Sequence, residues 1–547
     1  MKQLPVELQT SILHFLLSII HPPDSPQNDL ELVDETLTDT EDPPEAGPAQ
    51  SLSSNPVESQ RVELNPTSPA FFPYNVARVC KLWRNILKRM PECWIHVVFD
   101  VAEDPTPFID MFLWSKSLQN LEVLVYSSAR GKLRVYQDLE SRRISAIAEA
   151  LQPHIHRCKS IIFDIVCSSS LPPPTIFFLQ EAPHLEELTL NCRIDDIDVQ
   201  THARPTTAKK DRPHFMKSFP RLTKLSLSGF WFMYLALHAR SSKWFRELQS
   251  EQTRLSLYIS RFKFMQEGHY SLPNFLFYLC KIGIVTSYYF VDLSLSSPYE
   301  ASSDDVAAHA ISGNIHFKQV STDFLAHLYA ITNISANNIF SFDACRIPKI
   351  EQLQSGEYLL LTNIIDSDDG SDTGQSLVNI LSVWSGMELR VRSCPSFNDV
   401  LLSWLSYEVE YTPLDPEVDA TQACGIFNYH QRLLRSAKAF KTFPSESLAV
   451  LTIDDCDNFS SRALRSCVEI RNQASADEKL WYDPQRVGEK AAIVDLYVDG
   501  RVPVLAEEDK AWFKANKNNT AVYWRAADGD GDTMRFIAGS RFGMDEG

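Results

Sequence analysis

The sequence predicts an α/β chain: a small helical module at the N-terminus, then an irregular stack of strand–helix units, with parallel strands on a concave face and helices outside. Three observations predict it. Segments of the form L-x-x-L-x-L recur along the chain, and several follow an apolar helical stretch. The first hundred residues carry two amphipathic helical segments with large apolar anchors. A long acidic, proline-rich stretch separates those two segments.

The first helix opens at Leu4-Pro5-Val6-Glu7-Leu8. Proline lacks a backbone donor and has a preset φ, so it suits a first turn, where that donor has no partner anyway. Leu8, Ile12, Phe15 and Ile19 then recur at helical spacing as one apolar stripe. Lys2 and the apolar run Ile12–Ile20 mimic a signal peptide. His14 interrupts the run and no small-residue cleavage site follows, so it reads as a packed helix. The second helical segment puts Val76, Val79, Cys80, Trp83 and Leu87 on one face, ringed by Arg78, Lys81, Arg84 and Lys88. Pro91 stops it and Trp94 follows.

Residues 22–72 hold nine prolines and eleven acidic residues against one basic residue, Arg61. Such a composition buries too little apolar surface to offset ordering entropy, so the stretch reads as a disordered insertion. It supplies −10 of the formal net charge of −18, leaving the remainder only mildly acidic. A solvated surface insertion is one reading. A regulatory segment with Ser25, Thr36, Thr38, Thr40 and Ser68 as phosphorylation sites is the other.

This two-part pattern resembles the F-box: L-P-x-E-L at residues 4–8, V-C-x-x-W-R at 79–84, and a Trp shortly after. The resemblance implies docking onto the Skp-type adaptor, and through it the cullin, of a ubiquitin ligase. The implied adaptor-binding residues are Leu4, Pro5, Leu8, Ile12, Phe15, Val79, Cys80, Trp83, Leu87 and Trp94. The rest of the chain would then select an unknown target protein. The chain departs from the family in the 22–72 insertion, since F-box helices usually follow one another closely.

Beyond residue 95 the recurring copies begin at Leu121, Leu185, Leu222 and Leu448, with weaker versions near 159–167, 291–297, 338–345 and 387–394. Each reads as a short strand with alternating inward residues, then a turn. Helical stretches at 176–179, 275–279 and 324–328 precede three of them. One strand–helix unit cannot bury its apolar side alone, but neighbours stacked in a row can. This is similar to the leucine-rich-repeat plan. From Leu185 to Leu222 is 37 residues, longer than the usual repeat of about 20–29, so long inserts such as 193–216 are expected. A two-layer α/β domain that mimics repeats is the rival fold.

At the C-terminal end, Cys456 to Leu464 and the helix through Val468, Arg471 and Asn472 resemble the closing repeat of fungal F-box/leucine-rich-repeat proteins. Phe459 would pack in the loop, and Ser460 or Ser461 would cap the helix. A strand at 493–498, a helix at about 506–516 and a strand at 521–524 read as a capping unit, with a frayed tail from Asp528. The expected organisation is therefore a helical module over 1–95, repeats over 96–470 and a cap over 471–547.

Composition narrows the function. Only 18 glycines argue against a glycine-cradled nucleotide site, and the acidic balance argues against nucleic-acid binding. Eleven cysteines without C-x-x-C spacing read as free thiols, which fits a cytoplasmic or nuclear setting. No apolar run is long enough to span a membrane. No G-x-S-x-G, Walker loop, H-E-x-x-H or G-x-G-x-x-G is present. Asp528 to Asp532 starts like a calcium loop, but Thr533 and Gly539 stand where Gly and Glu are needed; the stretch from Asp366 to Gly370 fails similarly. His154, His156 and Cys158 lie too close together to make a four-coordinate site without distant partners. Cys424 and His430 lack an orienting group for nucleophilic catalysis. The expectation is a binding protein with no enzyme activity, no cofactor and no metal. The alternative is a leucine-rich-repeat scaffold without adaptor binding.

Overall fold

A computed structural model of the chain describes residues 5–20, 71–129, 137–178, 181–197, 219–238, 254–282, 285–297, 309–350, 354, 356–364, 366, 374–411, 440–480, 491–517, 519–527 and 534–536. They fall into two units: residues 1–166 with 182–185, and residues 167–181 with 186–547. Among the described residues no helix is long and apolar enough to cross a membrane.

In the first unit, helices α1 (Val6–Ile20), α2 (Tyr74–Ala77) and α3 (Lys81–Leu87) precede strand β1 (His96–Asp100). Short helix α4 (Met111–Trp114) leads to β2 (Leu121–Tyr126), and α5 (Gln137–Leu151) leads to β3 (Cys158–Cys167). The strands are parallel, and alternate residues stack in rows: Val97 beside Val123 beside Ile161, and Phe99 beside Val125 beside Phe163. All six are buried. Arg157, also buried, ties the rows to α4 by donating to the carbonyls of Phe112, Lys116 and Leu118. Those carbonyls at and just past a helix C-terminus have no helical donors, and a guanidinium suits them in number and charge. His154 stacks on Phe112, and the Cys158 thiol donates to the His154 carbonyl. Burial lowers the His154 pKa, with the neighbouring Arg157 and His156 adding to the effect.

The second unit begins with α6 (Thr175–Phe178) and β4 (Glu187–Ile194), β5 (Lys224–Ser228), α7 (Gly229–His238) and β6 (Leu255–Phe264). Then come α8 (Leu272–Leu279), β7 (Val285–Leu295), β8 (His309–Lys318), α9 (Thr322–Ile331), β9 (Thr332–Asp343) and β10 (Tyr358–Thr362). Next are α10 (Gln375–Leu381), β11 (Glu388–Arg392), α11 (Asp399–Leu405), and an antiparallel pair, β12 (Val409–Tyr411) with β13 (Phe440–Thr442). The chain closes with β14 (Val450–Asp454), α12 (Ser461–Leu480), β15 (Asp495–Gly500), α13 (Glu507–Ala515), β16 (Ala521–Ala526) and β17 (Met534–Phe536).

Strands β4 to β11, then β14, β15 and β16, lie side by side in chain order, parallel throughout; β17 adds antiparallel. The result is an open α/β sheet. Its core is a pair of ladders crossing every parallel strand. One runs Leu188, Leu225, Leu257, Tyr288, Ile315, Phe340, Leu359, Leu389, Leu451, Leu496, Val522. The other lies two residues further along each strand and ends at Trp524. Every member of the first ladder is buried. At about 1.5–3 kcal/mol per buried large side chain, these ladders are the main cohesive force.

Successive strands share a kink, which lies within β7 and ends β8, β9, β10, β11 and β14. Asp292, Gln319, Ala344, Asn363, Ser393 and Asp455 occupy equivalent positions just past the last ladder row, and all have φ between 50° and 53°. Gly500 continues the column at φ 84°. The amides of Gln319, Ala344, Asn363, Ser393 and Asp455 each donate to a carbonyl at the end of the neighbouring strand, at 2.8–3.0 Å. The next residue then drops inward: Cys345, Cys394 and Cys456 are buried, their thiols donating to the carbonyls of Asp343, Arg392 and Asp454. The sequence reading ran the strands into these cysteines. The left-handed residue in between ends each strand two positions earlier.

Other expectations shift as well. Strands β6, β8 and β10 have no L-x-x-L-x-L signature and were not foreseen. Arg193 and Ile194 belong to β4, and most of the expected 193–216 insert lies outside the described residues. Helix α12 runs through the 470/471 boundary, so the expected cap does not begin there. Ser460 is its N-cap, accepting from the Ala463 amide at 3.1 Å, and Phe459 is buried. Within α12 the buried Arg471 donates to the carbonyls of Leu405, Pro444 and Ser445.

The kink supplies a test. A left-handed alanine costs roughly 1 kcal/mol that glycine avoids. Ala344→Gly is expected to raise the unfolding free energy by about 0.5–1 kcal/mol, read from the denaturant midpoint. A lowered midpoint contradicts the account of the strand ends.

Candidate docking surface

Among the described residues, the N-terminal helices leave several large apolar side chains partly in solvent. Leu8, Ile12 and Phe15 follow one another along one side of α1 and are 52%, 42% and 65% exposed. Pro5 precedes them and is exposed too. The side that faces inward is one residue further round: Leu13 is 0% exposed and Gln9 7%. The Trp83 indole donates to the Gln9 side-chain oxygen at 2.9 Å and joins α1 to α3.

The segment expected as one continuous helix is broken. Tyr74–Ala77 and Lys81–Leu87 are separate helices, and Cys80 between them is extended at φ −158°. Its sulfur caps α3 by accepting from the Trp83 amide at 3.4 Å. The break places Val79 in the turn, 65% exposed, next to an exposed Cys80 and ahead of a partly exposed Leu82.

Beneath this surface lies a rigid base. Leu87 and Trp94 are fully buried. The Trp94 indole donates to the Leu87 carbonyl at 2.9 Å, and its ring meets Trp114 edge-on at 4.9 Å between centroids. These two expected adaptor contacts are therefore framework. Trp83 is half-buried and committed to Gln9. Leu4 lies outside the described residues. The basic residues are held by rings and acids: Lys88 over Trp114 at 4.4 Å, Arg84 over Phe108 at 5.3 Å, Arg78 on Glu103. Lys81 is exposed at the start of α3. Burial pushes the Tyr74 hydroxyl and the Cys93 thiol up to about 12, which keeps both neutral.

The second unit has a different surface, the strand face opposite the buried ladders. Lys224 bonds Glu187 at 2.8 Å and covers the Tyr258 ring. Tyr258 stacks on Tyr289 at 4.0 Å, and Tyr289 stacks on His316 at 4.3 Å, the rings nearly parallel in both pairs. Further along, Lys318 pairs with Asp343, Arg390 with Asp454 and Arg525 with Asp499. Sequence reading missed the ring stack because Tyr258 and His316 lie on strands without the leucine signature. Their alternation with buried neighbours was the available signal.

Cys424, His430 and Asp528 to Asp532 lie outside the described residues. Among the described residues, no three His, Cys, Asp or Glu side chains are placed to hold a metal ion. The crevice between Phe264, Leu272, Leu295 and Ile331 is apolar and adds no titratable group. No protein-family model matches the chain, and no curated protein matches it.

His316 gives the sheet face a pH signature. Burial pulls its pKa down to about 4, whereas the unfolded chain titrates near 6.5. Between those values the unfolded state binds the extra proton, so this contribution is complete above about pH 6.5 and is lost as pH falls towards 4. His316→Phe keeps a ring in the stack. It is expected to gain about 2–3 kcal/mol on the wild type between pH 7 and pH 4.5, measured by urea unfolding at each pH. An unchanged difference contradicts the burial of a neutral imidazole.

Proposed function

We propose that the chain is the substrate-recognition subunit of a ubiquitin ligase, docking a Skp-type adaptor with its N-terminal helices and a target protein with the sheet face of its second unit. One observation carries the reading: the apolar side of α1 and the turn before α3 stand in solvent while a packed base of Leu87 and Trp94 supports them. A helix that served only to cap a core would bury Leu8, Ile12 and Phe15. Large apolar side chains left exposed together mark a surface for a partner. The L-P-x-E-L and V-C-x-x-W-R segments put the same residues in an F-box-like frame.

In this reading the contacts are Pro5, Leu8, Ile12, Phe15, Val79 and Cys80, with Leu82 in place of the buried Leu87 and Trp94. The second unit is a degenerate leucine-rich-repeat solenoid, in which the left-handed kink recurs on successive strands and is followed by an inward cysteine at 345, 394 and 456. Its strand face offers paired charges and ring edges, a surface suited to a folded or extended protein segment. The chain performs no chemistry; it holds the target near a ubiquitin-conjugating enzyme and supplies proximity.

Leu8→Ala with Phe15→Ala removes exposed groups, so stability is expected to stay within about 0.5 kcal/mol. Capture of the purified Skp-type adaptor by the full chain is expected to weaken at least tenfold. An intact chain that captures no adaptor, or equal capture by both proteins, overturns the ligase reading and leaves a repeat scaffold.

A further inference from the structure

We infer that the strand face over β11, β14, β15 and β16 takes an arginine-bearing segment of a partner protein, its guanidinium seated along β14 against the Tyr497 ring and the Glu388 carboxylate. The inference deepens the target-docking part of the proposed function and rests on it for calling that partner a ligase target. What the face binds is a property of the free chain.

The register of the sheet brings these groups together. Glu388 of β11 lies beside Val450 of β14, which lies beside Asp495 of β15. Two residues further along each strand, Arg390, Thr452 and Tyr497 line up in the same way, and Tyr523 of β16 follows. Alternate residues of a strand face opposite sides, so both rows face away from the buried ladders. Neighbouring strands are about 4.8 Å apart, which puts the Glu388 and Asp495 backbones about 10 Å from each other. Between them stand only the short side chains of Val450 and Thr452, leaving a shallow trough along β14. Arg390 closes one end of it by reaching Asp454 at 2.7 Å.

Two independent features mark this part of the face. The first is an open aromatic platform. On β7, β8 and β9 the same side of the sheet holds the buried Ser287, His316 and Ser341. From β10 to β16 the residues of both rows are at least partly exposed, and Tyr497 is 46% exposed. Its ring lies 6.4 Å from that of Tyr523 between centroids. The second is unbalanced charge. The row that holds Glu388 and Asp495 is completed by Tyr358, Val450 and Ala521, and Glu357 precedes Tyr358. Arg390, the cation that acts on Glu388, is committed to Asp454. Burial pushes the Glu388 carboxyl up; Arg390 opposes the rise, and Glu357 and Asp495 add to it. The pairs further along, Arg390 with Asp454 and Arg525 with Asp499, are already closed. A guanidinium answers both features at once, since its plane stacks on a tyrosine ring and its fork pairs with a carboxylate. Charge complementarity thus selects a basic segment over an acidic or a purely apolar one.

The test is fluorescence anisotropy of the full chain with a fluorescein-labelled peptide of alternating glycine and arginine, beside its glycine–glutamate counterpart. The variants are Glu388→Gln, Tyr497→Ala and Tyr497→Phe, with Glu149→Gln on the exposed side of α5 as the control for net charge. All four positions are at least partly exposed, so the melting midpoints should match that of the wild type. The wild type is expected to bind the arginine peptide and not the glutamate peptide. Glu388→Gln and Tyr497→Ala should each weaken binding at least fivefold, while Tyr497→Phe, which keeps the ring, and Glu149→Gln should bind as the wild type does. No binding of the arginine peptide up to about 1 mM, or equal binding by the wild type and all four variants, overturns the inference. Arginine-peptide binding by a chain that captures no adaptor supports the inference and overturns only the ligase reading; adaptor capture without peptide binding does the reverse.

Discussion

In-register stacking of alternate residues on parallel strands is the constraint on which the second unit depends. Each strand in this sheet buries its ladder side, and its partners for that side are the equivalent residues of the strands before and after it. Leu361, Val391 and Ile453 occupy one ladder because each strand starts at the same height. The left-handed residue after β8, β9, β10, β11 and β14 keeps that height. Its amide bonds a carbonyl at the end of the next strand, and its turn sends the chain inward through a buried residue, cysteine at 345, 394 and 456, towards the next helix. The thiols are inert there. Burial pushes Cys394 up to about 12 and Cys456 to about 11, so neither forms a thiolate near neutral pH.

Polar groups inside this frame act as clamps between successive units. Arg471 holds the end of α11 and the turn before β14 by three carbonyls. Ser460 caps α12 while its amide and hydroxyl bond Asp399 at the head of α11, and Ser461 bonds Asp509 in α13. Each clamp joins a helix to a neighbour in the stack, adding to the strand pairing between successive units. Truncating one partner strands several buried polar groups together, which is costlier than losing the bonds themselves.

How much of this was legible follows from the signals each element carries. Copies such as RLTKLSLSG and LAVLTIDDC read as strands because leucines alternate with polar residues. LSLYISRFKF and HAISGNIHFK alternate less regularly, and their register shifts near Ser256 and Gly313 blur the period further. The kinks were invisible because Gln319, Ala344 and Ser393 are residues that seldom take positive φ; the ladders on either side impose it. At the N-terminus the apolar residues were legible as a stripe, but the extent of their exposure was not. Periodicity places Leu8, Ile12 and Phe15 on one apolar stripe without saying which way it faces; the inward side holds Leu13 and Gln9, whose contact with Trp83 spans 74 positions. Leu87 and Trp94 show the converse: they match the expected motif and lie in the base.

The surface of α1 and the turn before α3 is thus a product of tertiary packing acting on an ambiguous helix, and its exposure is the centre of the functional account. Amide hydrogen exchange of the full chain, with and without purified Skp-type adaptor, tests it most directly. The account predicts new protection over residues 6–20 and 78–87 on adding adaptor, with exchange over β4 to β16 unchanged. Unchanged exchange in those N-terminal segments at saturating adaptor, or protection confined to the sheet of the second unit, would contradict it.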